Sequence, residues 1–228
     1  MLQIFIGYDA KESVAYHTLA HSLLRRSSIP LTIAPLVRAQ LKGLYTRERG
    51  PTESTEFSLT RFLVPHLSQY RGWSLFMDCD MLCRADIAGL AACAERAEAK
   101  AVLVCKHDYT PGPGRKFLNQ VQTVYPRKNW SSVMLFNNSR CGALSPAYVN
   151  SASGLDLQRF AWLDDSLIGE IALEWNWLVG EYSYNAGAKI VHYTRGGPYF
   201  DDYRDCDYAD EWFREFEAMK FAANPVSA

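Results

Sequence analysis

Short apolar runs alternate along the chain with stretches whose apolar residues recur at helical spacing. The run "LQIFIG" (2–7), ending at a glycine, has the length of a buried strand. Over 13–27, Tyr16, Leu19, Ala20, Leu23 and Leu24 recur every three or four residues and predict a helix that Ser13 can cap. "LTIAPLV" (31–37) is a second short run, which makes the opening a β-α-β unit. The polar, aperiodic stretch 42–55 contains a Gly-Pro break and predicts a long loop with freedom to move. A helix over 56–68, a buried strand over 73–77, an Ala-rich helix over 86–99 and a strand over 101–105 follow. Beyond the Gly/Pro-rich loop 108–116, the pattern predicts strands over 130–137 and 188–194. A closing helix over 208–221 carries Trp212, Phe213, Phe216 and Met219 on one face. Strands alternating with helices predict an α/β fold with a mostly parallel sheet covered on both sides. The pattern shows no internal repeat and no low-complexity segment.

Composition narrows the classes. A length of 228 residues fits one large domain over 1–228, and 48% hydrophobic with 13% aromatic content belongs to a globular chain. Lys+Arg 24 against Asp+Glu 25 leaves a charge of -1, so the overall balance predicts no nucleic-acid binding and no attachment to an anionic membrane. Six cysteines without C-x-x-C pairs read as reduced, mostly buried thiols. "MLQIFIGYDAKE" has no basic n-region and too few apolar residues for a signal peptide or a membrane span, and a cytoplasmic enzyme is the expectation.

The candidate chemistry centres on a tripeptide that occurs twice, as "FMDCDML" (76–82) and "YRDCDYAD" (203–210). The first copy ends a buried strand, and in open α/β sheets ligands sit beyond the carboxyl ends of strands. Asp78 and Asp80 are therefore candidate hard-oxygen ligands for Mg²⁺ or Mn²⁺, the alternative being a solvated turn. The second copy precedes an amphipathic helix, where Asp205, Asp207 and Asp210 complement the helix dipole or cap it. His17 and His21 have zinc-compatible spacing, but "HTLAH" lacks a glutamate and a third ligand, so a polar helix face accounts for them. His192 ends a strand before the glycine-rich "YTRGGPYF", which suits either a ligand site or a core histidine. Asp164 and Asp165 in "WLDDSLIGE" are either catalytic carboxylates or a helix start.

Six segments in one order resemble the GT-A glycosyltransferases, most closely the retaining family 8 of glycogenin-like and lipopolysaccharide galactosyl- and glucosyltransferases. "IFIGYD" resembles that family's first strand and uridine-binding turn, which implies Tyr8 and Asp9 near the nucleotide. "SLTRFLVPHL" resembles the segment whose arginine, here Arg61, approaches donor phosphates and sugar. "SLFMDCDML" resembles the metal-binding D-x-D strand, which implies Asp78 and Asp80 as ligands with Cys79 at the donor. "WSSVMLFN" resembles "FNSGVMLIN" and implies Ser131 beside the donor sugar. "LDDSLIGEIALEWNWL" resembles the "DQDxLN…WN" region, and "IVHYTRGGPYF" resembles "HYxGxxKPW", which implies His192 as the third ligand. The sequence also departs from the family. Trp130 stands at the family's asparagine unless Asn129 substitutes, and "DDS" replaces "DQD". The lysine after the histidine is missing, with Arg195 the nearby cation.

The resemblance implies a fold of GT-A type, a UDP-sugar donor, Mn²⁺ or Mg²⁺, hexosyl transfer with retention, and Asp164 or Asp165 near the reacting carbon. The acceptor, whether carbohydrate, glycolipid or protein, is unread. Residues 107–128 and the aromatics Trp175, Trp177, Tyr182 and Tyr184 either form its site or are core. Two other functions compete. One is nucleotide-sugar binding without transfer. The other is a phosphohydrolase of the haloacid dehalogenase type, in which the first aspartate of D-x-D is a nucleophile.

Overall fold

The computed structural model describes residues 1–50, 53–108, 115–116, 120–121 and 126–220. Residues 109–114 of the expected loop over 108–116, much of the 107–128 acceptor region and the end of the closing helix at 221 lie outside the described residues, and the loop's last two expected residues, Arg115 and Lys116, form a short strand instead.

A six-stranded sheet has the order β2-β1-β3-β8-β5-β9. Its strands are β1 (Leu2–Tyr8), β2 (Leu31–Val37), β3 (Trp73–Met77), β5 (Val102–Val104), β8 (Val133–Asn137) and β9 (Ile168–Glu170). β1 pairs parallel with β2 and β3, and β5 with β9, while β8 runs antiparallel between β3 and β5. The sheet is mostly parallel, with one reversed strand. β3, β5 and β8 are buried almost throughout, so both faces are covered, which is why they read as unbroken apolar runs. β2 is an edge strand, and Pro35 is tolerated there. A second sheet, ordered β10-β11-β4, contains β4 (Met81–Cys83), β10 (Trp177–Leu178) and β11 (Ile190–His192). A small antiparallel pair joins β6 (Arg115–Lys116) to β7 (Gln120–Val121).

Helix α1 (Ser13–Arg26) buries Ala15, Thr18, Leu19, Ser22 and Leu23, a face rotated from the one its apolar residues predict, and Leu24 is 61% exposed. The two buried hydroxyls return to the helix's own carbonyls, Thr18 to Val14 at 2.9 Å and Ser22 to Leu19 at 2.8 Å. Ser22 Oγ also accepts from the Cys83 N–H at 3.1 Å, which hooks β4 onto α1. Ser13 does not cap the helix: it is the first helical residue, Glu12 holds the N-cap position without a side-chain cap, and Asp9 caps the turn before it. A 3-10 turn, Ala10–Glu12, precedes the helix, and the Asp9 carboxylate accepts from Lys11 N–H.

The helix expected over 56–68 is a 3-10 turn, Thr60–Leu63, leading into α2 (Val64–Leu67), because Pro65 cannot donate to a preceding turn. The helix expected over 86–99 contracts to α3 (Ala88–Ala91) and a 3-10 turn, Ala94–Arg96. Leu90 is the buried anchor of α3, and short alanine-rich turns have little packing to lengthen them. The loop 42–55 is stitched to α4 (Pro146–Ser151) and its following residue. Thr46 N–H donates to Asn150, Asn150 Nδ2 donates to Leu44, and Arg47 donates to the Val149 and Ala152 carbonyls. The carbonyls at the end of α4 thus find a guanidinium donor from the loop. A short α5 (Gly154–Gln158) follows. The closing helix α6 (Ala209–Lys220) packs on α1, with Trp212 buried and stacked on Phe216. Its buried Glu215 is held by His21 at 2.6 Å and Arg26 at 2.7 Å, which gives His21 a structural partner. Among the described residues no helix is long and apolar enough to cross a membrane.

Candidate metal centre

β3 and β4 are consecutive strands of different sheets, and Asp78, Cys79 and Asp80 are the residues between them. Both ends of this junction are pinned: Asp78 N–H donates to the Ser132 carbonyl, and the Asp80 carbonyl accepts from Tyr193 N–H, each at 2.9 Å. The antiparallel register of β4 with β11 sets Met81 opposite His192. That pairing brings His192 Nε2 to 3.4 Å from Asp80 Oδ1 and 3.9 Å from Asp78 Oδ2. One ligating atom from each residue falls within 4.8 Å of the others. Two carboxylate oxygens and an imidazole nitrogen form a donor set that fits a divalent cation, and further oxygens from a bound phosphate would suit Mg²⁺ or Mn²⁺. Among the described residues the second D-x-D has no such neighbours: Asp205 and Asp207 are exposed residues before α6.

The surroundings are acidic. Glu12, only 1% exposed, has its carboxyl pushed up to about 8, first by burial, then by Asp80, with smaller contributions from Asp9 and Asp78. A hydrogen bond donated by Tyr199 O–H at 2.6 Å acts in the opposite direction. Glu12 is therefore largely protonated near neutral pH, and a cation bound beside Asp80 would favour its ionisation.

Arg61 is buried behind Asp78. Its Nη1 lies 2.8 Å from Asp78 Oδ1 and donates to the Ser131 carbonyl at 2.9 Å, and Nε donates to Phe57 at 3.3 Å. The guanidinium lies over the rings of Phe76 and Phe57, 4.9 Å and 5.4 Å from their centroids. Gly7 of β1 makes room for this stack, because a Cβ there would meet the Phe57 ring at 2.4 Å. Ser131 is buried and donates its hydroxyl to Gln158. Asp9 is buried, with Oδ1 accepting from Lys11 N–H at 3.0 Å and Oδ2 from Glu56 N–H at 3.1 Å. Tyr8 is half-buried, edge-on to Tyr16. Cys79 is fully buried in the main apolar cluster, which raises its thiol well above the usual range and removes its side chain from contact with a ligand.

Three expected residues have their contacts elsewhere. Arg195 forms a two-pronged pair with Glu181, Nε to Oε1 at 3.0 Å and Nη2 to Oε2 at 3.2 Å. Asp165 is gripped by Arg127 at 2.6 and 2.7 Å, and that guanidinium lies over Trp130. Asp164 accepts from Ser166 N–H at 2.8 Å and caps the turn before β9, which holds its carboxyl below the usual range. Trp130 packs against Phe160, whereas the buried Asn129 donates its amide to Thr194 Oγ1 at 3.3 Å, two residues beyond His192. Sequence reasoning passed over Glu12, His107, Ser132 and Asn176, all of which line or support this region. His107 carried a related signal, lying three residues past the end of β5 where His192 ends β11.

No family model matches the sequence. Protein CDI of Arabidopsis thaliana is 49% identical over 227 residues, covering 94% of this chain and 86% of that protein. The chain belongs to the Protein CDI family. Among solved structures, this family member is similar to the apo WbbM bifunctional glycosyltransferase, with a TM-score of 0.65 and 13% identity over 94% of the chain. It is similar to the glycosyltransferase GlyE of Streptococcus pneumoniae, with a TM-score of 0.62 and 12% identity over 96% of the chain. It spans 49% of the length of WbbM and 63% of that of GlyE. The galactosyltransferase LgtC, solved with donor and acceptor sugar analogs, gives a TM-score of 0.58 and 11% identity, with 99% of this chain and 98% of LgtC covered. The CDI-family chain thus has the GT-A glycosyltransferase fold.

Proposed function

We propose that the chain, as one GT-A-like unit over 1–228, is a metal-dependent hexosyltransferase resembling family 8. It takes a UDP-sugar as donor and transfers the sugar with retention to a carbohydrate, glycolipid or protein acceptor. The observation that carries this reading is the convergence of Asp78, Asp80 and His192 where the two sheets meet. A Mn²⁺ or Mg²⁺ ion held there would supply Lewis-acid stabilisation of the charge that develops on the departing diphosphate. Arg61 braces Asp78 and orients its carboxylate. Tyr8 and Asp9, at the end of β1, face the nucleotide, and Ser131 faces the donor sugar with Asn129 beside it. Asp164 or Asp165 orients the sugar cation, and Arg195 adds charge for the diphosphate, once each exchanges its present partner for substrate. The six free thiols fit a reducing cytoplasm.

The test is a thermal-shift screen of nucleotide-sugars with and without Mn²⁺, followed by detection of transferred or hydrolysed sugar. Stabilisation by a UDP-sugar that requires the metal, with release of UDP, supports the reading; indifference to every nucleotide-sugar refutes it. Binding without transfer is the second reading, favoured by the engagement of Asp165 with Arg127 and of Arg195 with Glu181. It predicts the same stabilisation without product. The phosphohydrolase reading needs Asp78 as a nucleophile, and its pairing with Arg61 at 2.8 Å opposes that role.

A further inference from the structure

Asn176 lies between two histidines, fully buried, and the hydrogen bonds around it determine which way its amide points. One amide atom is 3.3 Å from the Asn129 carbonyl, which can only accept. The same atom is 2.8 Å from Ser132 Oγ, and that hydroxyl already donates to the Asn129 carbonyl at 2.7 Å, so it too accepts from Asn176. This atom is therefore the nitrogen, Nδ2. It also faces His107 Nε2 at 2.9 Å, so His107 carries its hydrogen on Nδ1, next to the Tyr182 hydroxyl at 2.9 Å. The remaining amide atom, Oδ1, lies 3.0 Å from His192 Nδ1 and must accept from it. His192 is thereby held as the Nδ1–H tautomer, with Nε2 turned toward Asp80 and Asp78.

We propose that Asn176 is the positioning residue of the metal centre: its Oδ1 selects the tautomer and ring orientation of His192 that offers Nε2 to a divalent cation. Ser132, His107 and the Asn129 carbonyl hold the amide in the required sense. A ligating histidine commonly owes its basicity and direction to a partner on its other nitrogen. This inference rests on reading Asp78, Asp80 and His192 as ligands. It adds a residue that does not touch the cation.

The experiment has two arms. In the wild-type chain labelled with ¹⁵N-histidine, metal-free and at a pH where the ring is neutral, long-range ¹H–¹⁵N spectra should show His192 and His107 as Nδ1–H tautomers. An Nε2–H tautomer at His192 overturns the proposal whether or not any variant folds. In the second arm, calorimetric titration with Mn²⁺ compares wild type with Asn176→Asp and Asn176→Leu. Both substitutions remove the Nδ2 donor that faces Ser132, His107 and the Asn129 carbonyl, but only leucine removes the acceptor for His192. Asn176→Asp should bind within a few-fold of wild type, and Asn176→Leu about 10- to 100-fold more weakly. Equal loss in both variants, or wild-type affinity in Asn176→Leu, overturns the proposal. If the wild type itself binds no divalent cation, the ligand reading fails with it; if the wild type binds and the two variants behave alike, only the role of Asn176 fails.

Discussion

Glu12→Gln tests the electrostatics of the acidic region directly. Burial and the neighbouring Asp80, Asp9 and Asp78 raise this carboxyl from 4.5 to about 8 in the folded chain. The folded state therefore holds the proton more tightly than the unfolded state. The stability this provides is complete below about pH 4.5 and is lost progressively as pH rises to about 8. At 1.36 kcal/mol per pH unit the full loss is about 5 kcal/mol, of which about 3 kcal/mol falls between pH 6 and pH 9. Glutamine has the shape of the protonated carboxyl and cannot ionise, so Glu12→Gln escapes the penalty. Urea unfolding of metal-free wild type and variant at several pH values from 6 to 9 isolates the effect, because other titrations cancel in the difference. The variant should gain on the wild type by about 3 kcal/mol across that window, and by less with Mn²⁺ present, since a cation offsets the charge of Asp78 and Asp80. A difference that stays flat from pH 6 to 9 refutes the reasoning.

Asp80→Asn should abolish both Mn²⁺-dependent thermal stabilisation and turnover, whereas Asp205→Asn with Asp207→Asn should leave both unchanged; thermal shift and UDP release read the two. Gly7→Ala should destabilise by about 1–3 kcal/mol through overpacking and displace the Phe57 ring that supports Arg61, as measured by chemical denaturation. Glu215→Ala should leave His21, Arg25 and Arg26 without their shared carboxylate. Because those side chains are partly exposed, the cost should be about 2 kcal/mol, with earlier loss of hydrogen-exchange protection in α6 than in the main sheet.

Much of the architecture was legible because burial on both faces leaves a simple mark. β1, β3, β5 and β8 are apolar runs of strand length, and each of them was found within a residue or a few of its observed bounds. Of the two D-x-D copies, the one launched by a strand could be separated from the one preceding a helix. The short elements were harder to read. β4, β9 and β10 span two or three residues and carry too little periodicity to register. The rotated face of α1 escaped notice because Thr18 and Ser22 look polar in sequence, yet their hydroxyls are satisfied within the fold.

Local sequence, then, determined where the buried strands of the large sheet and the first and last helices arise, because solvent exposure acts residue by residue, and it nominated Asp78, Asp80 and His192 individually. It carried no information on the direction of β8 or on the departure of β4 from the large sheet, since strand pairing depends on partners far along the chain. The register of β4 against β11 decided that His192 lies beside Asp80. The tertiary hydrogen-bond network decided that Asn176 orients that histidine, because an amide's sense is set by acceptors contributed from separate segments.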